Sequence, residues 1–182
     1  GYATVSNGAA FLSKDGSNNL LALVPTVQDD VTTWLAANNV GDSASGFSGL
    51  ISGCIAVNSI TFNTAGSTVN SAGVLGIGSG GILITSTATG AQMTGGVLRS
   101  GLNDVIVHQY ATGDFVLNPV ITGSTAITKT GAGGLILSGA NTFTGAVNIT
   151  EGFVRAAGGQ GIGDAAPVAL KDIAGVGLQL LA

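Results

Sequence analysis

The stretch that decides the fold covers residues 127–159 and reads ITKTGAGGLILSGANTFTGAVNITEGFVRAAGG. Two short runs alternate within it, Leu-Ile-Leu at 135–137 and Val-Asn-Ile at 147–149, and the outer residues of each run would share one face of a strand. Glycine, asparagine and serine bound both runs, as in turns. A helix is disfavoured, because each internal glycine costs about 1 kcal/mol in a helix. The stretch therefore predicts short strands joined by glycine corners.

The composition extends this interpretation to the whole chain. Of 182 residues, 45% are apolar, 5% aromatic and 8% charged, whereas an ordinary soluble domain is roughly 25% charged. The 31 glycines are more than twice the average share of about 7%. Disorder is a poor fit, because disordered chains are low in Val, Ile and Leu and high in charge. Collagen is excluded, because the glycines lack a period of three. An all-β chain of many short strands remains.

Alternating or apolar triplets recur from residue 50 onward, roughly 8 to 12 residues apart. Besides the two runs quoted above, they lie at 60–62, 82–84, 105–107, 115–117 and 178–180. Several are apolar at all three positions, which favours stacked coils over a half-solvated sandwich strand. Asparagines at strand ends can adopt left-handed backbone angles or form ladders between coils, and the candidates are Asn63, Asn70, Asn103, Asn118 and Asn141. On the residues alone, a β-helix and a β-sandwich both stay open.

The central stretch also resembles a known family, the autotransporter-associated β-strand repeat, or passenger-associated transport repeat. The family motif T-K-x-G-x-G-x-L-x-L-S-G-x-N-T-[FY]-[TS]-G stands here as Thr128, Lys129, Gly131, Gly133, Leu135, Leu137, Ser138, Gly139, Asn141, Thr142, Phe143, Thr144 and Gly145. Residues 57–118 are similar to the segment that often precedes this repeat in large secreted bacterial proteins. The chain departs from the family pattern at Gly134 and Ala146, where polar residues are more usual, and both positions lie beside turns.

The resemblance implies a right-handed parallel β-helix with a small N-terminal cap, in a secreted or surface-exposed passenger region of a very long protein. It implies export and stalk-like architecture rather than a fixed chemistry. We therefore expect residues 50–182 to form one continuous β-helix repeat region, with residues 1–49 as an irregular cap or the first rungs. The β-sandwich is the alternative.

The N-terminal part is less regular. Residues 2–5 and 20–24 predict short strands, and residues 14–19 between them predict a turn. Residues 26–39 predict a helix that would cap the open end of the coil, with Asp29 and Asp30 in its first turn, although a strand is a close alternative. The chain begins at Gly1 and has no apolar run of the roughly 20 residues that span a bilayer. We interpret it as a mature form or a segment of a longer precursor.

Charge and cysteine content limit the partners. The net charge is −4 with only five Lys and Arg, which argues against nucleic acid and against a membrane surface. Cys54 has no internal partner for a disulfide, and its flanking Ile51 and Ile55 predict a buried, inert thiol. This composition is typical of an extracellular bacterial protein. The partners that we expect are further copies of the chain, stacked head to tail into an oligomer or filament, and a cell-surface glycan.

Two glycine-rich motifs mimic ligand sites. Gly76, Gly78 and Gly81 give GxGxxG, but a strand follows where a dinucleotide site needs a helix, so we interpret them as turn glycines. Residues 158–164 approach the calcium-binding GGxGxD, with the aspartate one residue late and no second copy. The sequon at Asn148 is interpreted as plain strand sequence. We expect no cofactor and no metal site.

One cluster resembles an active site: Asp104, His108 and Asp114. A polysaccharide-cleaving β-helix would need these three on one rung face, with more acids than this chain groups together. The single histidine lacks a GxSxG motif beside it and is interpreted as a surface or turn-adjacent residue. The aromatic residues Trp34, Phe47 and Tyr110 could line a sugar-binding surface or lie buried at corners.

Three functions follow, in order of preference. The first is an extracellular structural or adhesive β-helix module, a stalk or self-associating fibre subunit, with no enzymatic activity. The second is a carbohydrate-active β-helix that uses Asp104, His108 and Asp114. The third is a passive module in which ladders of Thr, Ser and Asn bind a flat polymer such as a cell-wall glycan.

Overall fold

The structure is a computed structural model that describes residues 4–5, 10–14, 16–163 and 166–181. The strands are β1 (Thr4–Val5), β2 (Ala10–Lys14), β3 (Leu20–Ala22), β4 (Thr26–Val27), β5 (Asn39–Gly41), β6 (Cys54–Phe62), β7 (Thr68–Asn70), β8 (Val74–Ile84), β9 (Gln92–Thr94), β10 (Val97–Ser100), β11 (Asp104–Gln109), β12 (Asp114–Leu117), β13 (Val120–Ile121), β14 (Ala126–Thr130), β15 (Gly134–Leu137), β16 (Val147–Ile149), β17 (Phe153–Ala157), β18 (Val168–Leu170) and β19 (Gly177–Leu181). One 3₁₀ turn covers Val31–Thr33. No helix in the described part of the chain has the length and apolarity needed to cross a bilayer.

The strands from β4 onward wind into a parallel β-solenoid of about 6 turns. Three faces run along it. Face 1 contains the first halves of β6 and β8, with β10 and β13; face 2 contains β4, β5, the second halves of β6 and β8, β11, β14, β16 and β18; face 3 contains β7, β9, β12, β15, β17 and β19. The described strands from β4 to β19 pair only in parallel, so the predicted all-β, parallel β-helix is confirmed and the sandwich alternative is wrong.

The core forms because alternate side chains of each strand point inward and stack on the coil below. One inward column of face 2 contains Ile60, Ile82, Val107, Lys129 and Ile149, which pair in succession. All five are 1% exposed or less. Burying one such aliphatic side chain stabilises the fold by about 1.5–3 kcal/mol, so a column of this kind holds neighbouring coils together.

A line of aromatic rings fills the N-terminal half of the core. Trp34 packs edge to face on Phe47, Phe47 on Phe62, and Phe62 on Phe115, with centroid separations of 5.2, 5.1 and 5.2 Å. All four rings are buried. Of the alternatives for the aromatics, burial is therefore confirmed for Trp34 and Phe47.

The predicted helix over residues 26–39 is wrong. Residues 26–27 and 39–41 are the strands β4 and β5, which pair with each other at the start of face 2, and only Val31–Thr33 form a 3₁₀ turn. The Asp30 carboxylate accepts hydrogen bonds from Thr32 Oγ1 at 2.7 Å and from the Thr32 backbone N–H at 2.9 Å, which cap the turn and lower the pKa of Asp30. Asp29 instead accepts from the Ser43 N–H at 2.6 Å. Both aspartates stabilise turns. Aspartate is common both in turns and at the start of a helix, so the sequence pattern did not distinguish the two.

The N-terminal strands β1, β2 and β3 form a separate antiparallel sheet. The strands predicted near residues 2–5 and 20–24 are confirmed over Thr4–Val5 and Leu20–Ala22. Phe11 of β2 is 1% exposed and its ring packs edge-on against His108 of face 2, with centroids 5.6 Å apart. The N-terminal sheet therefore lies against the outside of the solenoid.

Candidate functional site

The predicted cluster of Asp104, His108 and Asp114 does not converge. Asp104 and His108 lie on β11 of face 2, whereas Asp114 begins β12 of face 3, beyond the corner that joins the two faces. The Asp104 carboxylate accepts a hydrogen bond from Thr128 Oγ1 at 3.1 Å, in the next coil. The arrangement that the carbohydrate-cleavage hypothesis needs, all three side chains on one face, is not present.

His108 is buried on the outer side of face 2. Val105 and Val107 point into the core, so His108 points outward, and yet it is only 6% exposed because Phe11 covers it. Its neighbour in the ladder, Leu83, is also on the outer side and is 0% exposed. The prediction that His108 lies at the surface is wrong, because the N-terminal sheet covers it. The alternative, a residue adjacent to a turn, agrees with its place one residue before the end of β11.

Asp114 has a specific partner that lies 41 residues away. Its carboxylate forms an ion pair with the Arg155 guanidinium of β17, two coils along face 3. Gly134 lies between the two strands in the ladder, and a Cβ at Gly134 would overlap the Asp114 carboxylate and come within 2.9 Å of Arg155 Nη1. At residue 134, where the chain departs from the family pattern, glycine leaves the space that the pair occupies, and a side chain there would have to push the ends of Asp114 and Arg155 aside.

Further contacts fix the position of Arg155. Its Nε donates a hydrogen bond to Gln179 Oε1 at 2.7 Å, and its guanidinium lies 5.9 Å from the centroid of the Phe153 ring. Phe153 is flanked in its column by Gly134 and Gly177, and its ring packs over Gly177, 3.1 Å from where a Cβ of that residue would lie. The result is an ordered outer patch in which a guanidinium, a carboxylate and an aromatic ring hold one another in place.

This patch lines a trough that runs along the corner between faces 2 and 3. Four of the stacked loops at this corner surround it, at residues 110–113, 131–133, 150–152 and 171–176. The two middle loops are shorter than the outer two, which leaves a depression between them. Its first part has a volume of about 460 Å³ and is lined by Tyr110, Asp114, Phe153 and Arg155 with corner glycines. A second part of about 450 Å³ shares Ala132 and Phe153 with the first and continues past Glu151 to residues 173–176.

A lysine occupies the inside of the same corner. Lys129 is 0% exposed, in a column otherwise made of Ile and Val. Its Nζ donates hydrogen bonds to the backbone carbonyls of Thr130 (2.9 Å), Gly131 (2.6 Å) and Glu151 (3.2 Å). Burial lowers the pKa of Lys129 from 10.5 to about 8, and the nearby Glu151 carboxylate opposes that shift. The ammonium thus binds the corner carbonyls of two coils together.

Asparagine side chains join coils at another corner. Asn141 is 1% exposed; its Oδ1 accepts from the Ile121 N–H at 2.8 Å, and its Nδ2 donates to the Gly161 carbonyl at 2.8 Å, 20 residues away in each direction. Asn118 bridges Gly95 and Ser138 in the same manner. Asn118 and Asn141 thus contact neighbouring coils, but through backbone groups and a serine rather than through the asparagine ladder that the sequence predicted. Asn103 has the predicted left-handed backbone, with φ 56°.

The glycines of the central motif are needed for space and for backbone conformation. Gly131 has φ +80°, and a Cβ there would overlap the Gln109 carbonyl of the coil below. Gly139 has an ordinary φ, but a Cβ would lie 2.5 Å from the Pro119 carbonyl. Phe143, four residues after Gly139 in the motif, is fully buried. The motif residues thus face backbone of the neighbouring coil rather than a ligand.

The other motifs have structural roles or lie outside the described residues. Gly76, Gly78 and Gly81 lie within β8 where it bends from face 1 to face 2, so they are corner glycines of one continuous strand rather than of a loop. Asn148 lies within β16, as expected for strand sequence. Asp164 of the calcium-like motif lies outside the described residues. Within the described residues, no group of three or more His, Cys, Asp or Glu is arranged to hold a metal ion.

Cys54 differs from its prediction. It is exposed, not buried. Val57 points into the core and Leu75 and Leu98 do the same in the paired strands, so alternation places Cys54 on the outer side of face 1. The flanking isoleucines were misleading, because Ile51 lies outside the strand and Ile55 has the opposite orientation to Cys54.

The fold and these contacts define a class: a parallel β-helix whose coils are joined by buried corner residues and which has a shallow, ordered trough on one corner. Residues 127–156 match the family model described as the passenger-associated-transport-repeat, so the chain contains this repeat and the resemblance noted in the sequence is confirmed. No curated protein and no solved structure gives a significant match to the chain. The repeat and the solenoid are together consistent with an autotransporter passenger-like module, and the repeat family suggests a secreted or surface protein.

Sequence reasoning missed Arg155 and Phe153. The alternation of residues 153–157 places both on the outer side of β17, and that signal was available in the sequence. The partner of Arg155 could not be found in the sequence, because Asp114 reaches Arg155 only through the register in which β12 pairs with β15 and β15 with β17.

Proposed function

We propose that this chain is an extracellular structural segment of a secreted bacterial surface protein, a β-helix that serves as a stalk or spacer and associates end to end. The observation that carries the proposal is the continuous parallel ladder of about 6 turns with a passenger-associated transport repeat inside it. The proposal includes no enzymatic activity, and it is supported by the separation of Asp104 and His108 from Asp114 on different faces.

The geometry suits a spacer. Hydrogen-bonded strands lie about 4.8 Å apart, so each coil lengthens the solenoid by about that distance. Contacts between coils join residues 20 to 24 apart, as in Asn141 to Gly161 and Gln92 to Thr68. Because each coil is joined to the next by columns of buried side chains, a stalk can be extended by adding coils without a new core.

Both ends of the ladder are open within the described residues. The strand β4 at one end, and β18 and β19 at the other, each have a ladder neighbour on one side only. Apolar side chains lie exposed on them: Val27 is 62% exposed, Leu170 51% and Leu180 78%. None of the three strands contains a charged residue. Uncharged edge strands with apolar side chains favour pairing with another strand, and a second copy offers the matching parallel edge.

Sedimentation velocity and negative-stain electron microscopy over a range of protein concentrations test the proposal. We expect the mean mass to rise with concentration and short rods to appear. Leu180→Lys places a charge on the open edge and should shift association to higher concentration. Leu102→Lys is the matched control, because Leu102 is 63% exposed on a corner away from both ends. Dispersed monomers at all concentrations, or an equal effect of both variants, would contradict end-to-end association.

A further inference from the structure

We propose that the trough along the corner between faces 2 and 3 binds a linear, neutral polysaccharide. The trough is built on the solenoid rather than on free loops, because its floor consists of short corner loops and strand ends that pair into the ladder. Its two connected parts have the volume of small-ligand sites, about 460 and 450 Å³. This inference goes beyond a stalk role and does not depend on it.

The lining has the two kinds of groups that recognise sugars. The half-buried rings of Tyr110 and Phe153 offer apolar surface for the C–H faces of a sugar ring. Beside them, the Asp114–Arg155 pair offers a carboxylate acceptor and planar guanidinium donors to hydroxyl groups. The pair is held by Gln179 and Phe153, so a ligand need not order these side chains on binding.

The charge of the trough selects against acidic polymers. Arg155 is already neutralised by Asp114, and Glu151 adds a carboxylate to the second part of the trough. The chain as a whole has a net charge of −4. Among the residues that line the trough, a uronic acid polymer would therefore meet no unpaired cation, and the negative net charge of the protein would repel it, whereas a neutral chain would not be repelled.

The dimensions favour a polymer segment over a single sugar. Four corner loops contribute to the trough, and at about 4.8 Å between coils they span roughly 14 Å along the solenoid. The trough is open along its length, which allows a long chain to pass through. Gly134 contributes to this shape, because a side chain there would push the Asp114 carboxylate away from its place on the floor.

Affinity electrophoresis of the full chain through gels that contain single soluble polysaccharides tests the inference. The panel is a β-glucan, an α-glucan, a mannan and a xylan, with polygalacturonate as the acidic member. At least one neutral polymer should retard the protein. Phe153→Ala and Arg155→Gln should each weaken that binding about tenfold, because each removes a group at the centre of the trough. The matched controls are Leu102→Ala and Arg99→Gln, which change an exposed leucine and an exposed arginine elsewhere.

Backbone amide shifts of the wild-type protein on titration with the retarding polymer give a second readout that needs no variant to fold. We expect the largest shifts at residues 110–114, 132–134 and 153–155. The proposal is overturned if no neutral polymer binds, if only polygalacturonate binds, if Phe153→Ala and Arg155→Gln bind as the controls do, or if the shifts fall on another surface.

Discussion

The replacement of Lys129 by methionine should change how stability depends on pH. The Lys129 ammonium lies inside the core, 0% exposed, and its pKa is lowered from 10.5 to about 8. Methionine has a similar length and no charge, so it keeps most of the packing in the column while it removes the titration and the three hydrogen bonds from Nζ. Loss of the hydrogen bonds lowers stability at every pH, whereas loss of the titration changes how stability depends on pH.

The size of the effect follows from the shift. One pKa unit corresponds to about 1.4 kcal/mol, so a shift from 10.5 to about 8 corresponds to about 3 kcal/mol. Between these two values the unfolded chain holds a proton on Lys129 that the folded chain has released, so the free energy of unfolding rises with pH. This contribution is fully present above pH 10.5 and is lost as pH falls through about 8. Below pH 8 and above pH 10.5, both states hold the same number of protons on this residue, and the contribution is constant.

Urea denaturation at pH 7, 8, 9, 10 and 10.5, followed by circular dichroism with a reductant present because Cys54 is exposed, measures the effect. The quantity of interest is the free energy of unfolding of the wild type minus that of Lys129→Met, since all other titrations cancel in it. This difference should rise by about 3 kcal/mol across the window. Lys171→Met, which removes an exposed lysine, is the control. A flat difference, or the same profile for both variants, would refute the reasoning.

Three further predictions concern the contacts between coils. Asn141→Ala removes two buried hydrogen bonds and leaves the Ile121 N–H and the Gly161 carbonyl without them, and should lower the free energy of unfolding by about 2–4 kcal/mol in urea denaturation; a loss below 0.5 kcal/mol would mean that water replaces the amide. Phe62→Ala interrupts the line of rings and should cost about 3–5 kcal/mol, measured in the same way, and an unchanged midpoint would show that the ring is not packed as described. Gly139→Ala places a Cβ against the Pro119 carbonyl and should lower the thermal midpoint, whereas Gly16→Ala, in open space, should not; equal midpoints would contradict the close approach of the coils.

The sequence by itself determined that the chain is all-β, and its repeat motif favoured the β-helix over the β-sandwich that the strand pattern left open. Period-two alternation and glycine corners are local properties, and each triplet named in the sequence, from 60–62 to 178–180, is part of a strand. The repeat motif could also be recognised from the sequence, because its glycines stand at fixed spacings where a Cβ would overlap the backbone of the neighbouring coil. The helix expected over residues 26–39 failed for a local reason as well: Asp29 and Asp30 stabilise turns as readily as a helix start, and pairing of β4 with β5 decided between the two.

The tertiary structure decided everything that depends on the register between coils. Val107 and Lys129 occupy one inward column, which places a cation in the core, and Asp114 meets Arg155 only because two coils stack with Gly134 between them. His108 is buried because the N-terminal sheet, with Phe11 of β2, lies on it. The number of residues between the two partners of such a contact depends on the length of each coil and corner. Alternation within a strand does not indicate that length. The trough, which is the candidate binding site, is therefore a property of the stacked corners and not of any one segment.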